Sequence, residues 1–281
     1  MSTPTTDDPE IGRTVRADGL ATNYHDMGQG FPAVFIHGSG PGVGAWANWR
    51  LNLPVISKGL RAIAPDMAGF GFTERPADNA YDMDLWIGHL LAFLDALDLP
   101  RVDLVGNSYG GSLALQFAIR HPRRVRRMVL MGAVSLPFDL TNGLDATWGY
   151  EPSIENMRRL LDLFAYDRSL VSDELAELRF RAASREGVQE AFSAMFPAPR
   201  QRWVDHLASA EEDIRALDHE MLIIHGREDL IIPVGVSQAL FAITDRSQLH
   251  LFGRCGHWTQ IEHAGRFNRL VSDFLTADEG R

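Results

Sequence analysis

Short apolar runs recur along the chain and predict the strands of a sheet. They cover residues 34–36, 60–64, 102–105, 128–131, 221–224 and 248–252. Most lack polar alternation, which indicates burial on both faces, as in a parallel sheet. Helix-like segments lie between them, for example 83–97, where Leu90, Leu91, Leu94 and Leu97 share one face. This alternation predicts an α/β fold with a mostly parallel, doubly wound sheet, and runs 12–16 and 20–27 predict an antiparallel start.

The alternation of strands and helices breaks after residue 136. Residues 137–207 contain no convincing strand but carry amphipathic helix patterns at 153–164, 172–184 and 189–195, punctuated by prolines. We therefore predict a helical lid at 137–207, inserted into a core domain made of residues 1–136 and 208–281.

Composition narrows the classes of partner. The chain has 281 residues and a formal net charge of -10, which disfavours binding to nucleic-acid phosphates. No apolar run approaches the length of a membrane span, and the polar first ten residues lack a signal-peptide core and predict a short frayed N-terminus. The single cysteine, Cys255, cannot form an internal disulfide and fits a reducing compartment. We expect a soluble cytoplasmic protein without membrane or nucleic-acid partners.

The strongest chemical signal surrounds Ser108. Residues 106–110 read Gly-Asn-Ser-Tyr-Gly, a G-x-S-x-G pattern between an apolar strand and a helix pattern at 112–120. That context is typical of a nucleophile elbow, in which a strained turn lifts the serine above the sheet. The alternative is a glycine-rich turn with an incidental serine. The pattern favours a serine hydrolase.

A serine nucleophile needs a base and an acid that orients this base. His257 follows the last predicted strand, and Asp229 follows the strand at 221–224. Loops at the carboxyl ends of parallel strands converge, so we predict a catalytic triad of Ser108, Asp229 and His257 in the chain order of α/β-hydrolases. Glu228 is the alternative acid and His263 the alternative base.

An oxyanion hole completes such a site. One donor is expected to be the backbone N–H of Tyr109, and the other to come from the glycine-rich loop 37–42. No Gly-Lys-Ser/Thr follows that loop, which excludes a P-loop. Cys255 lies close to His257 in sequence, but a lone cysteine is usually a small buried hydrophobe, and we do not expect it to be catalytic.

Several segments together resemble one enzyme family, the meta-cleavage product hydrolases, which cleave carbon–carbon bonds in bacterial degradation of aromatic compounds. The resemblance spans nearly the whole chain, and its lid and its Trp-Ala-Asn-Trp-Arg segment are most similar to 2-hydroxymuconate-semialdehyde hydrolases. Its most specific segments are residues 37–42, 46–50, 64–67, 69–71, 106–108, 164–168, 195–203 and 254–258.

The resemblance implies hydrolysis of the C5–C6 bond of a 2-hydroxy-6-oxohexa-2,4-dienoate. 2-Hydroxymuconate semialdehyde would give 2-hydroxypenta-2,4-dienoate and formate. It also implies a small anionic dienoate as substrate, no metal or organic cofactor, and a homo-oligomer. The backbone N–H groups of Ser39 and Tyr109 match the oxyanion donors of the family. Its substrate-binding positions correspond to Gly38, Asn48, Asn107, Arg179 and Trp258.

Three of these binding positions have a plainer interpretation. Arg179 could be a solvated helix residue, Asn107 a turn residue and Trp258 a core residue. The Tyr109 side chain, which follows the serine, is expected to help shape the pocket. Alternative functions are hydrolysis of alkyl- or aryl-substituted 6-oxo-dienoates, an esterase-type serine hydrolase, and a ligand receptor that retains the triad. A carboxylate clamp of Asn48, Arg179 and Trp258 distinguishes the dienoate hydrolases from simple esterases.

Overall fold

The computed structural model describes residues 8–277, which are built around one eight-stranded sheet. The expected frayed N-terminus falls largely on residues 1–7, outside the described residues. In the order β1-β2-β4-β3-β5-β6-β7-β8, β1 and β2 pair antiparallel, as do β2 and β4, and the other pairs are parallel. The strands are β1 Arg13–Ala17, β2 Leu20–Met27, β3 Pro32–Ile36, β4 Arg61–Pro65, β5 Val102–Asn107, β6 Val125–Met131, β7 Glu220–Gly226 and β8 Ser247–Phe252.

The inner strands are apolar without alternation because helices cover both faces of the sheet. In β3, Val34 and Ile36 belong to one hydrophobic cluster, whereas Phe35 belongs to the cluster on the opposite face. Every residue of the central strand β5 is buried. The edge strand β8 is different, since most of its residues are partly or fully exposed. The predicted α/β fold class with a mostly parallel, doubly wound sheet is confirmed.

Thirteen α-helices lie within the described residues, together with two short 3-10 turns. Several begin at a side chain that caps the first turn: Asp82 accepts from Leu85 N at 2.8 Å, and Ser153 accepts from Asn156 N at 3.0 Å. The helices are α1 Ala45–Trp49, α2 Leu53–Ile56, α3 Met83–Ala96, α4 Tyr109–Arg120, α5 Asn142–Trp148, α6 Ile154–Phe164, α7 Asp173–Ala183, α8 Val188–Met195, α9 Gln201–Leu207, α10 Glu211–Arg215, α11 Val234–Ile243, α12 Thr259–Glu262 and α13 Ala264–Thr276.

The chain between β6 and β7 contains six helices, α5 to α10, and no strand. The amphipathic patterns predicted α6, α7 and α8 to within a residue or two at each end, because the serines that precede α6 and α7 are their N-caps. The short helices α5, α9 and α10 were not predicted. The division into residues 1–136, 137–207 and 208–281 stays a prediction. Within residues 8–277, no helix is both long and apolar enough to cross a bilayer.

Candidate active site

The turn that carries Ser108 links the central strand β5 to helix α4. Ser108 has φ 55° and ψ -118°, a backbone conformation that costs free energy and is tolerated where packing enforces it. The flanking glycines are required by close packing: a Cβ on Gly106 would lie 2.2 Å from Gly110 O, and a Cβ on Gly110 would lie 2.4 Å from Ile36 O. Only residues without side chains fit these two positions, which explains the G-x-S-x-G spacing.

His257 and Asp229 come together from loops that follow β8 and β7. His257 Nδ1 lies 2.7 Å from Asp229 Oδ2, and the other carboxylate oxygen accepts from Ile231 N at 2.7 Å and Ile232 N at 3.0 Å. Burial raises the pKa of the Asp229 carboxyl, but the charge and hydrogen bonds of His257 and of His225 outweigh it and hold this pKa below its ordinary value. An ionised Asp229 fixes the proton of His257 on Nδ1 and leaves Nε2 free to accept one.

The alternative acid and base occupy other environments. Glu228 accepts from Cys255 N at 3.0 Å and pairs with Arg227 at 2.7 Å, so its carboxylate is committed to the loop backbone and to a surface arginine. His263 stacks on Phe252 with ring centroids 4.9 Å apart and does not line the cavity that contains Ser108. The geometry therefore favours Asp229 and His257 over these two residues.

Cys255 is fully buried and lies outside that cavity. Burial, together with the neighbouring carboxylates of Glu262, Asp229 and Glu228, raises the pKa of its thiol. A thiol that stays protonated is a poor nucleophile, in agreement with the sequence-based expectation for this residue.

A cavity lies above the sheet, with Ser108 and His257 in its wall. Its remaining lining is mostly apolar, with a few polar groups, as is typical of small-molecule sites. Six of the residues that the sequence proposed for binding or for the oxyanion hole line it as well: Gly38, Ser39, Asn48, Asn107, Arg179 and Trp258.

Two backbone N–H groups are candidate donors for an oxyanion hole, those of Ser39 and Tyr109. Tyr109 is the first residue of α4, where a helix leaves its N–H groups without intrahelical acceptors. Ser39 lies on the loop after β3, and its hydroxyl accepts from the indole Nε1 of Trp148 at 3.1 Å. Neither Ser39 N nor Tyr109 N donates a hydrogen bond to another group in residues 8–277. Both donors are therefore available to a developing oxyanion.

The side chain of Tyr109 does not shape the cavity, so that expectation was wrong. Tyr109 is fully buried beneath the site, where its ring packs edge-on against Trp86 at 4.8 Å and beside Phe70 at 5.5 Å. The first residue of α4 faces the aromatic core between α3 and α4 because that helix packs directly on the sheet. Tyr109 contributes only its backbone to the site.

Asn48 and Asn107 form a joined pair in the cavity wall. The side-chain oxygen of Asn48 accepts from Asn107 Nδ2 at 3.0 Å and from Gly38 N at 3.2 Å. The remaining polar atoms, Asn48 Nδ2 and Asn107 Oδ1, are buried without a hydrogen-bond partner. Unsatisfied buried polar atoms are costly, and in a cavity wall they offer one donor and one acceptor to a ligand.

Arg179 provides the positive charge of the cavity wall. It extends from α7, and its side chain is 11% exposed, which contradicts the alternative of a solvated helix residue. Its guanidinium donates to Gly42 O and to Glu10 Oε1, the latter at 3.0 Å. The neighbouring Trp258 stacks on Phe164 at 5.3 Å and contributes to the same wall. A buried guanidinium beside unpaired amide groups is suited to bind a carboxylate.

The lid segment is joined directly to the loop that carries His257. Phe164 O accepts from His257 N at 2.8 Å, and the rings of these two residues are 5.8 Å apart. One oxygen of Glu262 accepts from Gly256 N at 2.7 Å, and the other accepts from Tyr166 N at 2.9 Å and from Asp167 N at 2.8 Å. These contacts hold the end of α6 against the histidine loop.

Sequence reasoning missed two residues of the site. His225, near the end of β7, places Nε2 3.1 Å from Asp229 Oδ2, the oxygen that also faces His257, and Nδ1 2.7 Å from Ser237 Oγ. Glu10 reaches Arg179 across 169 positions of sequence. Nothing in the sequence pointed to Glu10 or distinguished His225 from other buried residues of a strand. No cluster of three or more potential metal ligands occurs among residues 8–277.

Comparison with known proteins agrees with this geometry. The family model described as alpha/beta hydrolase fold matches residues 32–264. A 2-hydroxy-6-oxo-2,4-heptadienoate hydrolase of Pseudomonas putida is 63% identical over 96% of this chain and 98% of its own length. A 2-hydroxymuconate semialdehyde hydrolase of Pseudomonas sp. strain CF600 is 64% identical over 95% of this chain and 94% of its own length.

Comparison with solved structures also indicates a hydrolase of this kind. A serine-to-alanine mutant of CumD, the meta-cleavage product hydrolase from Pseudomonas fluorescens IP01, was crystallised with acetates and superposes with a TM-score of 0.94 at 59% identity. The match covers 95% of this chain and 98% of that one. Together with a buried serine and histidine in a cavity that also contains a guanidinium, these similarities lead to one conclusion: the chain belongs to the meta-cleavage product hydrolases, carbon–carbon bond hydrolases of the α/β-hydrolase fold.

Proposed function

We propose that this protein hydrolyses the C5–C6 bond of 2-hydroxy-6-oxohexa-2,4-dienoates, with Ser108, His257 and Asp229 as its catalytic triad. The observation that carries this proposal is the presence of Arg179 in the cavity that contains Ser108 and His257. A simple esterase has no need for a buried cation, whereas a dienoate carries a carboxylate at one end and the reacting carbonyl at the other.

Two substrates follow from the relatives. 2-Hydroxymuconate semialdehyde has hydrogen at C6 and would release formate, and 2-hydroxy-6-oxo-2,4-heptadienoate has methyl at C6 and would release acetate. We propose the semialdehyde as the natural substrate and the methyl compound as the alternative, because relatives named for each are 64% and 63% identical to this chain. Both belong to the degradation of aromatic compounds by ring cleavage.

Binding of the dienoate would use the polar part of the cavity wall. Arg179 pairs with the carboxylate, and the unpartnered Asn48 Nδ2 donates to the same end of the substrate. The unpartnered Asn107 Oδ1 accepts from the 2-hydroxyl. Gly38 allows close approach of the substrate, and the Trp258 ring covers a face of the planar diene.

The first chemical step moves a proton from the 2-hydroxyl to C5 and gives the keto tautomer. This step is necessary because the 2-oxo group, conjugated through the C3–C4 double bond, then accepts the electron pair of the breaking C5–C6 bond. Fission, which follows the addition to C6 described next, releases the dienolate of 2-hydroxypenta-2,4-dienoate, and this dienolate takes a proton on its oxygen. The groups that lie within reach of such proton transfers are His257 and Ser108.

The second step adds an oxygen nucleophile to the C6 carbonyl. The backbone N–H groups of Ser39 and Tyr109 stabilise the negative charge that develops on the carbonyl oxygen. Ser108 attacks and forms an acyl-enzyme that water hydrolyses, or His257 activates water directly and a gem-diol forms. In both routes water supplies a hydroxyl to C6, and the released acid is formate or acetate.

The test is a panel of ring-cleavage products with hydrogen, methyl, propyl and phenyl at C6. We expect loss of the yellow dienoate absorbance with the highest kcat/KM for hydrogen or methyl, and release of one equivalent of formate or acetate. A preference for phenyl would contradict the proposed substrate. Absence of turnover with every member, together with tight binding of a dienoate, would favour the ligand receptor.

Ser108→Ala tests the nucleophile separately. We expect turnover to fall by about 10³-fold or more while the protein stays folded and still binds dienoate, because binding does not require the hydroxyl. Undiminished hydrolysis by this variant would remove Ser108 from the mechanism. Efficient hydrolysis of neutral esters without activity on dienoates would favour an esterase.

The cellular location and the assembly state are also proposals. A single buried Cys255 fits a reducing cytoplasm. The family resemblance is the basis for a homo-oligomer, which light scattering during size-exclusion chromatography measures directly.

A further inference from the structure

Glu10 contacts the cation of the cavity from the amino-terminal segment that precedes β1. Its Oε1 lies 3.0 Å from Arg179 Nη1, and the two side chains are 16% and 11% exposed. Arg179 Nη2 donates to Gly42 O on the loop after β3. The guanidinium is thus held by two groups, the carboxylate of Glu10 and the backbone carbonyl of Gly42 in the glycine-rich loop. Ion pairs with this degree of burial are screened less by solvent than surface pairs.

Glu10 is itself firmly placed. Its backbone oxygen accepts from Asn23 Nδ2 at 2.9 Å, and Gly12 N donates to Asn23 Oδ1 at 2.8 Å. The same Asn23 amide donates to Asp66 Oδ2 at 2.8 Å, in the loop after β4. This network fixes the turn before β1 to the core of the fold, so the position of the Glu10 carboxylate is determined before any substrate binds.

Two further arginines, Arg50 and Arg185, interact electrostatically with both Arg179 and Glu10. Burial lowers the pKa of Arg50, the charge of Arg179 lowers it further, and the charge of Glu10 opposes both effects. Burial lowers the pKa of Arg185, the charges of Glu10, Asp66 and Asp8 raise it, and the charge of Arg179 lowers it. Without Glu10, Arg179 would face the like charges of Arg50 and Arg185 without the carboxylate that pairs with it, and repulsion would favour its displacement from the cavity wall.

We propose that Glu10 is a positioning residue for substrate binding, which holds the Arg179 guanidinium in the cavity wall for the substrate carboxylate. This inference rests on the proposed function, because it assigns the carboxylate of the dienoate to Arg179. A guanidinium has five N–H donors, and the two contacts to Glu10 and Gly42 leave three of them for substrate.

Glu10→Ala removes both the hydrogen bond and the charge. We expect KM for the dienoate to rise about tenfold, since a hydrogen bond to a charged group is lost at the binding site, while kcat changes much less. Glu10→Gln keeps an oxygen that accepts from Arg179 but loses the charge, so its KM is expected to lie between those of the wild type and Glu10→Ala. In a protein that already carries Arg179→Ala, the additional change Glu10→Ala is expected to cause no further increase of KM for the dienoate.

Two controls separate positioning from a general structural role. Hydrolysis of p-nitrophenyl acetate, a neutral ester, is expected to be changed little by Glu10→Ala, because this ester has no carboxylate for Arg179. Glu177→Ala removes another glutamate–arginine pair of α7, the exposed pair with Arg181 at 3.8 Å, and is expected to leave both KM values unchanged.

The outcomes distinguish this inference from the proposed function. If the wild-type protein does not turn over dienoates, the proposed function fails. If the wild type is active and Glu10→Ala lowers KM or leaves it unchanged, Glu10 does not position Arg179. An equal increase of KM for the dienoate and for the neutral ester would show that Glu10 only stabilises the fold, and would also overturn the inference.

Discussion

Asp229→Asn is the sharpest perturbation of the candidate triad, because both oxygens of this carboxylate face N–H groups and an amide NH₂ group cannot accept from them. Oδ1 accepts from the backbone N–H groups of Ile231 and Ile232. Oδ2 accepts from His257 Nδ1 and lies 3.1 Å from His225 Nε2. An asparagine has a single oxygen, so its NH₂ group must face one of these two pairs of donors.

The backbone N–H groups cannot change their protonation, whereas an imidazole can change its tautomer. We therefore expect the asparagine oxygen to remain with Ile231 and Ile232, and its NH₂ group to face His257 Nδ1. The proton of His257 then moves to Nε2, which can no longer accept the proton of Ser108 or of water. A wrong tautomer of this kind costs about 10⁴-fold in kcat, or about 5 kcal/mol of barrier height.

The assay is the initial rate at which the dienoate absorbance disappears, with circular dichroism and thermal unfolding as checks of folding. Glu228→Gln is the matched control, because Glu228 is the adjacent carboxylate and also accepts a backbone N–H, from Cys255. We expect this control to keep most of the activity. Normal turnover by Asp229→Asn would refute the triad, and a severe loss confined to Glu228→Gln would identify Glu228 as the acid.

Three further predictions address the surroundings of the triad. Arg179→Ala is expected to weaken dienoate binding by about 2 kcal/mol or more, and an unchanged KM and kcat would exclude contact between Arg179 and substrate. Cys255 is expected to resist iodoacetamide until the protein is unfolded, because its thiol is buried and its pKa is raised; rapid labelling of the folded protein with loss of activity would contradict this. Trp148→Phe removes the hydrogen bond to Ser39 but keeps the stack on Phe196, so urea titration should show a free energy of unfolding lower by about 1 kcal/mol, and an unchanged value would mean that the bond does not contribute.

The sheet was predictable because its strands are buried on both faces and therefore stand out as continuous apolar runs. The edge strand β8 was still recognised, although its residues are largely exposed. The short helices α5 and α9 were missed because each has seven residues, too few for a periodic pattern to be distinguished from a loop.

The triad candidates could be proposed from sequence because each lies in the turn or loop that follows a predicted strand. The supporting residues were not, because their roles depend on tertiary contacts alone. His225 resembles any other buried strand residue until Asp229 is placed beside it. Glu10 precedes the first strand, and only the folded chain brings it to Arg179. The Tyr109 side chain was misjudged because sequence does not reveal which way the first residue of a helix faces.

The bridge made by Glu262 has a consequence for exchanging the lid between relatives. Its carboxylate binds the backbone N–H groups of Tyr166 and Asp167, not their side chains, so this bridge depends on the path of the chain and not on the identity of these two residues. A transplanted lid that keeps the backbone from Phe164 to Asp167 would leave His257 in place. One that lengthens or shortens this short connection would displace the histidine without altering any residue of the triad.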